Sequence, residues 1–143
     1  MRACVYEAYG PADVVRLAEV ETPRVKAGDV LVRVRATSVT TADWRLRASV
    51  FPRVFWLPGR LMIGLFRPRN PILGMDFSGV VEATGEQVTR FRVGDRVFGA
   101  ASAMSRGAHA EFVAVQESGA IMHKPPFLTD QQAAAISERR SAA

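Results

Sequence analysis

The stretch "ILGMDFSGVVEATG", residues 72–85, decides the fold. Three glycines, Gly74, Gly79 and Gly85, punctuate an apolar run, which admits a phosphate-cradling loop, a metal site or a strand with its turns. Gly74 and Gly79 have the spacing that opens a Walker loop, but no Lys-Ser or Lys-Thr follows Gly79. No G-x-G-x-x-G occurs anywhere in the chain either, so the phosphate-loop reading fails. What remains is a turn glycine followed by a strand over 77–84 with Gly79 inside it. A glycine within a strand suits the sharp bend of a barrel corner.

Working outward, other short strands surround this one. Residues 29–39, "DVLVRVRATSV", are the clearest: Val32, Val34 and Ala36 share one face against Arg33 and Arg35. Residues 2–6, 14–21, 110–116 and 120–124 read the same way, and 90–100 holds two apolar pieces around Gly94-Asp95. Helical pattern is scarce. Thr40 or Thr41 caps a short helix over 42–49, and Thr129 with Gln132 forms a capping box for a second near the end. Many short strands with few helices predict a mainly β fold, a small barrel or sandwich.

The bulk properties are those of an ordinary globular chain of 143 residues, 48% hydrophobic and 23% charged, with a net charge of +5. That charge permits attraction to acidic partners without demonstrating it. Cys4 is the only cysteine, which excludes a disulfide within the chain and a Cys-rich metal site. The start, "MRACVYEAYG", lacks the features of a secretory signal. The most apolar stretch, 54–66, is broken by Pro58, Gly59 and Arg60 and is shorter than the roughly 20 residues a bilayer span needs. The expectation is a soluble, cytoplasmic protein.

Five segments in order carry a resemblance: "GDVLVRVRATSVTTADWR", "PILGMDFSGVVEATG", "VTRFRVGDRVFG", "AHAEFVAV" and "KPPFLTDQQAAAI". Over residues 2–136 the chain resembles the N-terminal, alcohol dehydrogenase-like domain of medium-chain dehydrogenase/reductases, in the zinc-independent quinone oxidoreductase branch. The resemblance implies a GroES-like, partly open β-barrel. In zinc-dependent members, a Cys ligand stands where this chain has Thr40 and a His ligand where it has Met75. A hydroxyl and a thioether do not make a catalytic zinc site. The resemblance therefore implies no metal, with NADPH as cofactor and a quinone, enone or carbonyl as the small-molecule substrate. It also implies a Rossmann domain beyond the barrel, and a homodimer is open to the full-length form. Residues 1–128 are then the catalytic barrel, and 129–143 a helix and tail leading toward the nucleotide-binding domain. The 143 residues contain no strand–Gly-rich turn–helix unit of their own, so the chain is expected to be inactive alone.

Thr40 is the candidate catalytic residue, as a hydrogen-bond donor to a substrate oxygen. Thr41, Asp43, Trp44 and Met75 are the candidate pocket residues. Against this, Thr40 reads equally as a helix cap, and Asp43 reads better as a first-turn stabiliser. Trp44, Phe51, Phe55, Trp56 and Phe66 fit a pocket wall, though aromatics more often fill a core. His109, His123 and Glu111 read as structural or surface residues, and Lys124 as the exit from the barrel. From Trp44 to Met75 there are six arginines (45, 47, 53, 60, 67 and 69) and no acidic residue. The preferred reading is an irregular lobe whose apolar residues cover the cleft and whose arginines face solvent, with no specific nucleic acid and no membrane as partner. The alternative function is a standalone, non-catalytic binding module that uses this basic lobe, 45–69, or a barrel surface.

Overall fold

The structure is a computed structural model; it describes residues 1–50, 52–101 and 107–140, with the side chains of 138–140 excepted. Two antiparallel strands, β1 (Arg2–Tyr6) and β2 (Val15–Glu19), form a small sheet. Five more form the main sheet: β3 (Asp29–Thr37), β4 (Asp76–Thr84), β5 (Arg96–Ala100), β6 (Phe112–Gln116) and β7 (Ile121–His123). Their spatial order is β6-β3-β4-β5-β7, antiparallel throughout. Bridges from Ala3 to Ala110 and from Val5 to Ile72 tie the small sheet to the main one. The main sheet curls into a half-barrel, the expected mainly β, partly open barrel.

The curl has a local cause. The β3–β4 register shifts at Leu31/Val32 and again at Val34/Ala36, and such irregularities bend a strand. Gly79 lies opposite Val34, between those shifts. A Cβ on it would stand 2.1 Å from the Arg33 carbonyl oxygen, so the two backbones approach as only glycine permits. Inside the curl Val30, Val32, Phe77, Val81, Val97, Val113 and Ile121 form the core, each almost fully buried.

Three α-helices, α1 (Thr41–Ala48), α2 (Arg53–Ile63) and α3 (Asp130–Arg140), and a short 3-10 helix at Ala12–Val14 complete the described chain. α3 packs on β3, β4 and β5. Its capping box is formed as expected: the Thr129 N–H donates to Gln132 Oε1 at 3.0 Å and the Gln132 N–H to Thr129 Oγ1 at 3.2 Å.

Three expectations are corrected. Residues 53–63 are not irregular but helical, with Pro58 inside the helix. Proline removes one i→i−4 bond; here it deprives the Val54 carbonyl, which lies in the exposed first turn. Nor do all the arginines of this segment face solvent. Arg47 donates from Nη1 to the Gly10 carbonyl at 2.7 Å, and Arg60 lies 3.9 Å from the centre of the Tyr9 ring. Residues 90–93, the first apolar piece before Gly94, form no strand; only Phe91 of that piece reaches the core.

Candidate functional site

The end of β3, the start of α1 and the turn before β4 meet around one carboxylate. Thr40 has extended backbone and caps α1. Its backbone N–H donates to Asp43 Oδ2 at 2.8 Å, and its hydroxyl donates to the same oxygen at 3.1 Å. The Asp43 N–H returns a bond to Thr40 Oγ1 at 3.4 Å, closing a capping box. Asp43 Oδ1 takes the Gly74 N–H at 2.8 Å, across 31 positions of sequence. Asp43 is buried, and the carboxylate pins Thr40 to the Gly74–Met75 turn.

A second set of bonds fixes that turn from the other side. The His109 N–H donates to the Leu73 carbonyl at 2.9 Å, and the Ala108 N–H to the Gly74 carbonyl at 2.8 Å. Gly74 adopts φ 95°, and a Cβ there would stand 2.5 Å from the His109 ring, so glycine is required on both counts. His109 Nε2 donates to the Ser38 carbonyl at 3.0 Å, which fixes the proton on that nitrogen. Below lies Asp76, buried, its Oδ2 accepting from the Ser38 hydroxyl at 3.2 Å and its Oδ1 from the Ser137 hydroxyl of α3 at 2.6 Å.

Among the sequence candidates, Thr40, Asp43 and Met75 are brought together, with Met75 half-buried. Thr41 follows in the first turn of α1; it is exposed, and its hydroxyl has no hydrogen-bond partner among the described residues. Trp44 is exposed. Phe55, Trp56 and Phe66 are also exposed and pack no core, while Phe51 lies outside the described residues. His109 has the structural role just given. Glu111 is a surface partner of Arg2, whose N–H and guanidinium bonds hold its carboxyl below the usual range. Lys124 is buried and donates from Nζ to the Leu128 carbonyl at 2.6 Å, at the passage into α3.

Sequence reading missed Tyr6. Burial pushes its phenol up to about 12, and the neighbouring Tyr9 and the Asp43 carboxylate add to the shift. A residue on β1 is thus within electrostatic reach of the α1 cap. The apolar run of 2–6 carried no sign of this, because the contact depends on how the small sheet folds over the main one.

The donor set does not suit zinc. Thr40 offers a hydroxyl and Met75 a thioether, which are not the His, Cys or carboxylate donors of such a site. No group of three or more His, Cys, Asp or Glu capable of holding a metal occurs among the described residues. The described elements include no βαβ unit of the kind that cradles a dinucleotide.

A curled antiparallel half-barrel, with a helix N-terminus and a glycine turn meeting at its mouth, defines the GroES-like class of barrel. Residues 26–126 match the alcohol dehydrogenase GroES-like domain family, and the chain belongs to that family. It is 29% identical over 137 residues to a chloroplastic quinone-oxidoreductase homolog of Spinacia oleracea, covering 95% of this chain and 38% of that protein. The solved quinone oxidoreductase of Coxiella burnetii superposes with a TM-score of 0.79 at 30% identity, over 94% of this chain and 40% of that one. A mycobacterial protein, Rv1454c, solved in complex with NADPH, superposes at 0.74 with 27% identity, over 94% of this chain and 37% of that one. The chain thus spans well under half the length of these relatives. Among its described helices, none is long and apolar enough to cross a membrane.

Proposed function

We propose that the chain is the substrate-side domain of a zinc-independent, NADPH-dependent oxidoreductase that reduces a quinone, an enone or a carbonyl. The observation that carries this reading is the Asp43 knot, which draws Thr40 and the Gly74–Met75 turn to one place. The names of the Spinacia and Coxiella relatives support the substrate class, and the NADPH complex supports the cofactor. In this reading residues 1–128 form the substrate barrel, and α3 leads toward a nucleotide-binding domain that holds most of the dinucleotide. When bound, the nicotinamide supplies the hydride.

The chain's own residues position and polarise. Negative charge grows on the substrate oxygen as hydride arrives, and a donor aimed at that oxygen lowers the barrier. The Thr40 hydroxyl has one proton, and Asp43 takes it. The neighbouring hydroxyl of Thr41 is uncommitted among the described residues. This favours Thr41 as the donor, with Thr40 and Asp43 setting its position.

The test joins the chain to the nucleotide-binding domain of one of these relatives and compares Thr41→Val with Thr40→Val. Thr41→Val is expected to lower kcat by up to roughly 10²-fold, the cost of losing one such donor, with little change in KM. Thr40→Val is expected to lower stability first. A Thr41→Val fusion with unchanged kcat, beside a Thr40→Val fusion with reduced kcat, would return the donor role to Thr40.

A further inference from the structure

Helix α2 is built inside out. Its positions fall on two faces. Trp56, Gly59, Arg60 and Ile63 share one face at i, i+3, i+4 and i+7. This face meets the rest of the molecule: the Arg60 guanidinium lies over the Tyr9 ring, and the Tyr9 hydroxyl donates to the Gly64 carbonyl at 2.7 Å. Val54, Leu57, Pro58, Leu61 and Met62 share the opposite face with the same spacing. Val54 is 82% exposed, and Leu57, Leu61 and Met62 are each a little over half exposed. The most polar side chain of the helix body therefore points inward, and the amphipathic stripe that would ordinarily meet a core points outward.

The stripe does not end with the helix. Gly64, at φ 118°, turns the chain so tightly that a Cβ on it would stand 1.9 Å from the Arg67 carbonyl oxygen, and the Arg69 N–H closes the turn on the Ile63 carbonyl at 2.8 Å. That fixed turn holds Phe66 outward, 85% exposed. An apolar surface of this kind marks an interaction site.

Its flanking charge says what covers it. Arg53 in the first turn of α2 and Arg67 beside Phe66 are exposed next to the stripe, and no acidic residue lies anywhere from Trp44 to Met75. A second copy would bring these arginines against their own kind, which disfavours a self-complementary interface. An apolar face carrying Phe and Leu beside basic residues, on a helix too short to span a bilayer, is the composition of a helix that lies in a lipid interface. The basic charge matches acidic headgroups.

We propose that α2 and the turn to Arg69 form an interfacial anchor that docks on an anionic phospholipid surface. Leu61, Met62 and Phe66 enter the headgroup boundary while Arg53 and Arg67 meet the phosphates. The proposal goes beyond the oxidoreductase reading and stands without it. It reverses the sequence reading, which took this segment as an irregular lobe and set a membrane partner aside; Pro58 and Gly59 disguise the helix whose orientation carries the argument.

The test is sedimentation of the full chain with vesicles of phosphatidylcholine, alone or with a minority of phosphatidylserine. Binding is expected to the mixed vesicles and not to the neutral ones, and it should fall as salt rises. Leu61→Asp with Phe66→Asp should abolish it; both side chains point into solvent, and circular dichroism checks that the fold is kept. Arg53→Gln and Arg67→Gln leave the apolar face intact and should each weaken binding roughly fivefold at low salt. The proposal is overturned by any of four results: no binding to the mixed vesicles, equal binding to the neutral ones, binding indifferent to the aspartate pair, or a dimer in solution that the aspartate pair dissolves.

Discussion

Asp43 holds three donors from two segments, so its removal tests how the mouth of the barrel is made. Asp43→Ala removes a helix cap and strands the buried Gly74 N–H. The two losses together should cost about 2–4 kcal/mol in a urea titration, and Asp43→Asn should fall between the two proteins. Half of this arrangement was legible: Thr-x-x-Asp before a helical pattern reads as a cap. The other half was not, because nothing local says that Gly74 folds back onto the same carboxylate. Tyr6 offers a test by pH. Its phenol ionises at about 12 when folded, against an ordinary 10.0, so the unfolded chain gives up this proton first. The stabilisation is complete below the unfolded value and is lost as pH rises toward the folded one. Wild type should therefore lose urea resistance between about pH 10 and about pH 12. Tyr6→Phe should lose less, though not nothing, because Tyr9 is shifted in the same direction by burial. Equal losses in the two proteins would show that the alkaline limb comes from other groups.

Between elements, α3 is held to the sheet largely by polar contacts beneath a thin apolar seam of Ala133 and Ala134. Ser137 donates to Asp76 on β4, the Ser78 hydroxyl lies 3.0 Å from Asp130 Oδ1, and Lys124 Nζ lies 3.5 Å from the same oxygen. Ser137→Ala leaves the buried Asp76 carboxylate with the Ser38 hydroxyl as its remaining partner in this network. A loss of about 1–3 kcal/mol is expected, with amide exchange quickening in α3 before β4; uniform quickening would mean that α3 and the sheet open as one unit. The strands were largely legible because alternation and Gly-Asp turns are local. β1, β3, β4 and β6 fall within three residues of their expected ends. α2 was not legible, because Pro58 and Gly59 read as breakers. In the structure the chain on either side of them continues as one helix, anchored by Tyr9 at its far end.

For the whole molecule, the division of labour sets what the chain does by itself. Its core is complete: Val32, Phe77, Val97 and Val113 are sealed within one curled sheet, and α3 closes over it. With that core closed among the described residues, the barrel is expected to fold alone with a cooperative transition. Catalysis is another matter. Hydride transfer needs the reacting carbon held against the substrate within a near-attack distance, and most of the rate comes from that positioning. In the proposed reading these residues supply the substrate wall, and the described elements include no βαβ unit to cradle a dinucleotide. The barrel resembles its relatives over nearly all its length while spanning only 38% of the Spinacia protein. The 143-residue chain is therefore expected to show no NADPH-dependent reduction of a quinone or enone above the uncatalysed rate, although folded by circular dichroism. The fusion that restores a nucleotide-binding domain should turn over at rates ordinary for such enzymes, from about 1 per second upward. Steady reduction by the isolated barrel, abolished by Thr41→Val, would mean that a dinucleotide site exists on the barrel itself and that the proposed division is wrong. An inert fusion with a correctly folded barrel would instead point to the barrel as a binding module.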